Sequence, residues 1–334
     1  MSRIDLNEIE FDFDLTFAAL VMHPDGTVYH RYGGRGPDEP NGYLSLESLC
    51  RLLRDSIPEH RAHEARAHRR KKRKVLHAID LPVLRRKRAR GQQIDCVHCH
   101  TINDARHVQA QLDGSWRRDD VFAYPDPERI GLSLDHERQH IVRKVKKGSP
   151  AAKAGIKAGD ELLAVGEQQS VRTLSDVQWA LHRAPFARNR LAVRIRSEGR
   201  ERSLVLRLKS GWKRCPPERF AWRPTKWNLT PSPGFGGPTL QSGAAPAGNG
   251  QPQAFRMRVD YIVDWGENAH RGRAARAAGL KIGDIVVGFA GKRDFESFDH
   301  LHAWVGLTLK AGQAVTIDVL RGGKPLTLRY RLPK

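Results

Sequence analysis

Ser149-Pro150-Ala151-Ala152-Lys153-Ala154-Gly155-Ile156-Lys157-Ala158-Gly159-Asp160 is answered 124 residues later by Arg273-Ala274-Ala275-Arg276-Ala277-Ala278-Gly279-Leu280-Lys281-Ile282-Gly283-Asp284. Each stretch is Ala-rich, closes on a glycine and then runs into Gly-Asp. Alanine favours helix, and a glycine after it enters the left-handed region at the helix end without a Cβ clash. The Gly-Asp pair then opens an apolar strand, Glu161 to Val165 or Ile285 to Phe289. The same offset sets Thr173-Leu174-Ser175-Asp176-Val177 against Ser297-Phe298-Asp299-His300-Leu301, and Gly199 against Gly323. Each copy reads as short helix, strand, longer helix and β-hairpin, so the sequence predicts a multidomain α+β protein with a duplicated unit.

This pattern resembles the PDZ domain of bacterial envelope proteins, twice: a first at 128–210 and a second at 254–334, each a β-sandwich or barrel with helices. The resemblance implies binding of protein or peptide C-termini. An extended peptide adds as a strand beside the second PDZ strand, and N–H groups of the preceding loop hold its carboxylate. Ile130-Gly131-Leu132-Ser133-Leu134 stands where that loop and strand belong. Val177 and Leu181, four apart on the longer helix, either line the side-chain pocket or fill the domain core. The second copy has Ala254-Phe255-Arg256-Met257-Arg258 at the matching place, without the glycine, and is expected to be structural.

Between the copies, 211–253 reads as a Trp/Pro/Gly-rich linker. Its first half interleaves Trp212, Phe220, Trp222 and Trp227 with Lys213, Arg214, Arg219, Arg223 and Lys226. Such aromatics can stack single-stranded bases; prolines that forbid a regular sheet face favour instead an extended segment clamped onto a neighbouring domain.

Residues 1–58 read as strand, Pro24-Asp25-Gly26 turn, strand, Gly33-Gly34 and then a helix. Ser45 caps that helix, which ends at Pro58 with Leu46, Leu49, Cys50, Leu53 and Ile57 on one apolar face. The order resembles the second half of a thioredoxin fold, a partial thioredoxin-like unit without the Cys-x-x-Cys half. The whole chain is similar to a bacterial family of fused thioredoxin-like and tandem PDZ proteins, some of them selenoproteins. That resemblance implies an envelope or periplasmic location. It also raises the expectation that the gene starts downstream of a selenocysteine codon, which would account for the missing half-domain and signal peptide.

The segment 59–127 is basic and helical. Fifteen Lys/Arg face four acids between Arg51 and Arg90, about half of the net +21. The run Arg69 to Lys74 suits polyanion contact, but no stacking aromatics or helix-turn-helix pattern accompany it, so nucleic acid is not the expected partner. Cys96-Val97-His98-Cys99-His100 is the C-x-x-C-H of c-type haem attachment, in which two thiols hold the porphyrin and His100 binds iron. His107 is the nearest sixth ligand. Cys96, His98, Cys99 and His100 equally offer zinc donors, and a site with neither is the third reading.

His136-Glu137-Arg138-Gln139-His140 matches H-E-x-x-H, which binds zinc only on a helix. Here it falls between two strand patterns and is expected to be a turn. No Gly-x-Ser-x-Gly is present, and without a nucleophile or a thioredoxin redox half no catalysis is expected. The most apolar stretch, Leu15 to Met22, is too short to span a membrane. Three functions follow: a tandem PDZ binding module with a haem or redox element, a c-haem electron-transfer protein localised by its PDZ domains, or a protease-associated adaptor.

Overall fold

The computed structural model describes residues 3–36, 38–63, 75–92, 94, 97–240, 255–265 and 269–333. The basic run at 69–74, Cys96 and residues 241–253 of the stretch read as linker lie outside the described residues. The chain divides into two compact units, 1–215 and 216–334. No described helix is long and apolar enough to cross a membrane.

The first unit opens with an antiparallel hairpin, β1 (Ala19–Met22) and β2 (Val28–Tyr32). Its turn is closed by the Thr27 N–H donating to Asp25 Oδ1 (2.8 Å) and by Gly26 at φ +92°. Helix α1 (Leu46–Ala62) follows, capped by the Ser45 hydroxyl, which accepts from the Ser48 N–H. Two expectations change here. The helix runs past Pro58, whose missing N–H removes one intrahelical bond without breaking the last turn. Its buried face is Ser48, Leu52 and Ser56, while Leu46 (77%), Leu53 (49%) and Ile57 (47%) are exposed. Hydrogen bonds select that face: the Tyr32 hydroxyl meets Ser48 Oγ at 2.7 Å, and Glu59 reaches His30. Periodicity counts apolar side chains and cannot see them.

Helices α2 (Pro82–Ala89) and α3 (Cys99–Leu112) form a separate apolar cluster with the chain's start, in which Leu6, Phe11 and Phe13 meet Val83, Leu84, Val97 and Ile102.

The first repeat follows. Strands β3 (Leu132–Leu134) and β4 (Val142–Val145) pair antiparallel, with Leu132 opposite Val145. Helix α4 (Pro150–Ala154), strand β5 (Glu161–Val165), helix α5 (Leu174–Arg183) and strands β6 (Asn189–Ser197) and β7 (Arg200–Leu208) complete it, in a sheet ordered β5-β6-β7. Apolar residues of β3 to β7 and α5 share one core.

The second unit contains α6 (Pro217–Phe220), β8 (Phe235–Gly236), β9 (Met257–Arg258), β10 (Tyr261–Ile262) and α7 (Ala269–Ala277). Strand β11 (Ile285–Phe289), helix α8 (Phe298–Thr308) and the hairpin β12 (Ala314–Arg321) and β13 (Lys324–Arg331) follow. The sheet order is β13-β12-β11-β9, with β8 on β10.

The duplication is visible bond by bond. Gly155 and Gly279 both end their helix at φ +87°, and Gly159 and Gly283 stand at +89° and +90°. Asp160 accepts from the Lys157 N–H at 2.8 Å and Asp284 from the Lys281 N–H at 2.9 Å. The strand counterparts differ from a fixed offset. The Lys146 N–H donates to Gly131 O at 2.9 Å, and the Val263 N–H donates to Gly234 O at 2.9 Å. Leu132 faces Val145 as Phe235 faces Ile262. The partner of the Gly131 loop is therefore Gly234-Phe235-Gly236, inside the stretch read as linker, rather than Ala254 to Arg258.

Candidate functional site: the cleft between strand β3 and helix α5

The C=O of Gly131, just before β3, and by register the N–H and C=O of Ser133 turn toward β4, as the Lys146 N–H to Gly131 O bond requires. By alternation those of Leu132 and Leu134 face outward. Among the described residues, β3 pairs with β4 alone. Its side chains at Leu132 and Leu134 (each 1% exposed) point into the core with Ile130, Val177 and Leu181 (each 0%). Of the residues singled out from the sequence, these five share one cluster, Gly131 turns the chain at φ +91°, and Ser133 is half-buried. Val177 and Leu181 are core residues. The helix residue that borders the open cleft is Leu174, together with Leu132, Leu134, Tyr43, His136 and Arg143.

The cleft is crossed by the chain's own segment after β2, and sequence reasoning left this out. At Gly34 the backbone lies so close to α5 that a Cβ would fall 2.5 Å from Gln178 Oε1 and 2.9 Å from Ser175 Oγ. The Gln178 side-chain amide donates to Arg35 O (3.1 Å). Tyr43 is buried in the β3–α5 core, and its hydroxyl donates to Leu134 O at 3.1 Å, one of the outward-facing groups of β3. Gln139 Nε2 donates to Tyr43 O (2.8 Å), and Gln139 Oε1 accepts from the Leu174 N–H (3.1 Å). Burial pushes the Tyr43 phenol up to about 12. The cleft left beside this strap, about 80 Å³, has room for a side chain and not for a strand.

The loop before β3 is also committed. The Ile130 N–H donates to Pro127 O and the Gly131 N–H to Glu128 O, both at 3.0 Å, closing the 3-10 turn Pro127–Arg129. Glycine is required at 131, because a Cβ there would fall 2.1 Å from the Ser149 side chain.

The strap is anchored by β2. His30, with no exposed side-chain surface, bonds Asp176 Oδ2 through Nδ1 (2.8 Å) and Glu59 Oε2 through Nε2 (3.0 Å). The Arg31 N–H donates to Asp176 Oδ1 (2.8 Å), and the Thr173 hydroxyl donates to Arg31 O. Burial alone would lower the His30 pKa; the two carboxylates outweigh it and raise it to about 9. Burial would raise Glu59, but His30, Ser170 and Arg172 draw it down to about 2.

In the second unit the long helix is covered in a comparable way. Trp227 packs on Phe298 and His302 of α8 (ring centroids 5.8 and 4.7 Å), and a Cβ at Gly306 would fall 2.3 Å from Leu229 Cβ. Burial pushes His302 down to about 3, with Arg271 and Lys226 adding to the effect. Trp212 stays with the first unit, its indole N–H donating to Pro185 O (2.9 Å). Both tryptophans thus pin neighbouring chain segments.

The C-x-x-C-H motif belongs to α3 and its start, and the H-E-x-x-H stretch borders the cleft without forming a metal site. Cys99 starts α3 as a half-buried thiol whose pKa burial pushes up; exposed His98 and His100 flank it with parallel rings 5.7 Å apart. Burial lowers the pKa of His107, seven residues along α3 from His100. The H-E-x-x-H stretch forms the β3–β4 turn, and its imidazoles diverge, His136 toward Glu39 (3.9 Å) and His140 toward Glu161 (3.6 Å).

Among curated proteins no sequence matches this chain. Solved structures include an HtrA-type protease, AlgW, with a decapeptide, 18% identical over 34% of this chain and 36% of its own, with a TM-score of 0.23. A variant of that protease, also with a decapeptide, is 21% identical over 23% of this chain and 22% of its own, with a TM-score of 0.20. This chain thus spans between 22% and 36% of the solved chains it is similar to. The family model of the PDZ domain matches residues 141–195, from the end of the β3–β4 turn through most of β6. Those residues are a PDZ domain.

Proposed function

We propose that this chain is a peptide- and protein-binding module that takes an extended segment as an added strand on β3, beneath α5, and that its own strap must leave first. The observation that carries this reading is the Tyr43 hydroxyl on Leu134 O: an outward carbonyl of β3, whose one sheet partner among the described residues is β4, is bonded by the chain itself. Strand addition supplies main-chain bonds, and Leu132, Leu134 and Leu174 supply an apolar seat for one side chain. Capture of a C-terminal carboxylate further requires the Ile130 and Gly131 N–H groups to leave their 3-10 turn.

The second repeat is read as a second PDZ-like unit, supported by the matching glycines, Asp turns and Gly234 loop. The haem c or zinc reading of Cys96, Cys99 and His100 is carried by their spacing alone and adds no step to this mechanism. The envelope location rests on the resemblance.

Amide hydrogen exchange of the full chain, with and without a peptide ending in valine, tests the reading. Slower exchange at Leu132 and Leu134, with faster exchange in residues 33–43, is expected. Protection confined to other segments would overturn it.

A further inference from the structure

The β1–β2 turn and the last turn of α1 bring histidines and a carboxylate to one spot. His23 Nδ1 lies 3.1 Å and His63 Nε2 2.8 Å from Asp25 Oδ2, and the three donor atoms are all within 4.8 Å of one another. These side chains are only 18%, 16% and 20% exposed for His23, His63 and Asp25. Among the described residues this is the one group of three such side chains with converging donor atoms. His60, in the last turn of α1, sets its ring 5.1 Å from that of His23 at a tilt of 41°.

The Asp25 backbone N–H lies 3.2 Å from His23 Nδ1, the ring nitrogen that also faces Asp25 Oδ2 at 3.1 Å. His63 Nε2 meets the same carboxylate oxygen, so three donor atoms converge where a divalent cation would replace the protons that otherwise join them. The Thr27 N–H holds the other carboxylate oxygen, Oδ1, at 2.8 Å and leaves Oδ2 turned to the imidazoles, as an orienting partner of a metal ligand does. Neighbouring donors of a tetrahedral zinc site are roughly 3.3 Å apart, given metal–ligand bonds near 2.0–2.1 Å. The 3.1 and 2.8 Å contacts to Asp25 Oδ2 would widen by roughly 0.2–0.5 Å to reach that spacing.

We propose that His23, Asp25 and His63 form a divalent-metal site of zinc type, pinning the β1–β2 turn to the end of α1. Two imidazoles and one carboxylate are borderline donors that suit zinc better than calcium or magnesium. The pin fixes the hairpin that carries His30 and Arg31, and through them the strap over the PDZ cleft.

The test is zinc binding by the metal-free full chain, with cobalt(II) as a spectroscopic probe. His23→Gln/His63→Gln is expected to lose one equivalent of zinc, and each single variant to bind that equivalent at least tenfold more weakly. The cobalt lost with the double variant carries weak visible bands and no thiolate charge-transfer band, which separates it from Cys96-x-x-Cys99. Circular dichroism of the double variant confirms that the fold is kept. Failure of the wild-type chain to bind zinc would overturn the proposal. So would an unchanged zinc count in a folded double variant, or a site whose cobalt spectrum is thiolate-ligated and abolished by Cys99→Ser.

Discussion

His30 shows how one side chain couples distant parts of the first unit. It lies 146 residues from Asp176 in sequence, yet it is enclosed between that carboxylate and Glu59. A buried charged group left without its partner costs several kcal/mol, so Asp176→Ala should destabilise the first unit by roughly 3–5 kcal/mol in urea unfolding. The pH dependence has a definite sign. The folded pKa of His30 is raised to about 9, above its ordinary 6.5, so its contribution is complete below pH 6.5 and disappears as pH rises through about 9. The stability gap between wild type and His30→Gln should therefore be on the order of 3 kcal/mol at pH 6 and close toward pH 10. Glu59, drawn from 4.5 to about 2, behaves oppositely: its contribution is present above pH 4.5 and fades as pH falls through about 2. A gap that widens above pH 9 would contradict the His30 assignment. None of this was legible in the sequence, because a lone histidine in a strand pattern gives no sign of two carboxylates supplied by helices far along the chain.

At the scale of elements, the strap from Gly33 to Tyr43 matters more than any motif. Its glycines read as a surface loop, since no phosphate-loop residues follow them. The structure gives Gly34 another reason: only a residue without a Cβ passes Gln178 and Ser175 so closely. Gln178→Ala removes the amide bond to Arg35 O, a loss of about 1 kcal/mol. It should speed amide exchange in residues 33–36 several-fold while leaving β6 and β7 protected; loss of protection throughout the unit would mean that the strap is part of the fold and not a cover. Helix α1 teaches a related lesson. Its apolar stripe was readable and its buried face was not, because Tyr32 and His30 recruit Ser48 and Glu59 by hydrogen bonding.

Across the whole molecule, the duplication was the most legible feature, since glycine at positive φ and Asp-capped turns are local requirements written in local sequence. The hidden part was the second copy's first strand. Gly234 answers Gly131, but the chain between β8 and β9 includes 241–254, so a constant offset slid past it and a Pro/Gly-rich composition hid it. Division into two units with separate cores predicts separate responses to equivalent changes. Gly155→Ala and Gly279→Ala, each at φ +87°, should cost about 1 kcal/mol apiece. In calorimetry each should lower a different transition. One shared transition moved equally by both substitutions would show that the units unfold together.

The central claim is that the cleft of residues 141–195 with β3 takes peptides and is covered by its own chain. The most direct measurement is fluorescence anisotropy of a labelled peptide with a free C-terminal valine, titrated with the full-length wild type and Tyr43→Ala. A cover that must open lowers apparent affinity by the fraction of open molecules. Tyr43→Ala, with its circular dichroism unchanged, should therefore bind at least tenfold more tightly, about 1.4 kcal/mol or more. Equal or weaker binding by the folded variant would contradict the claim.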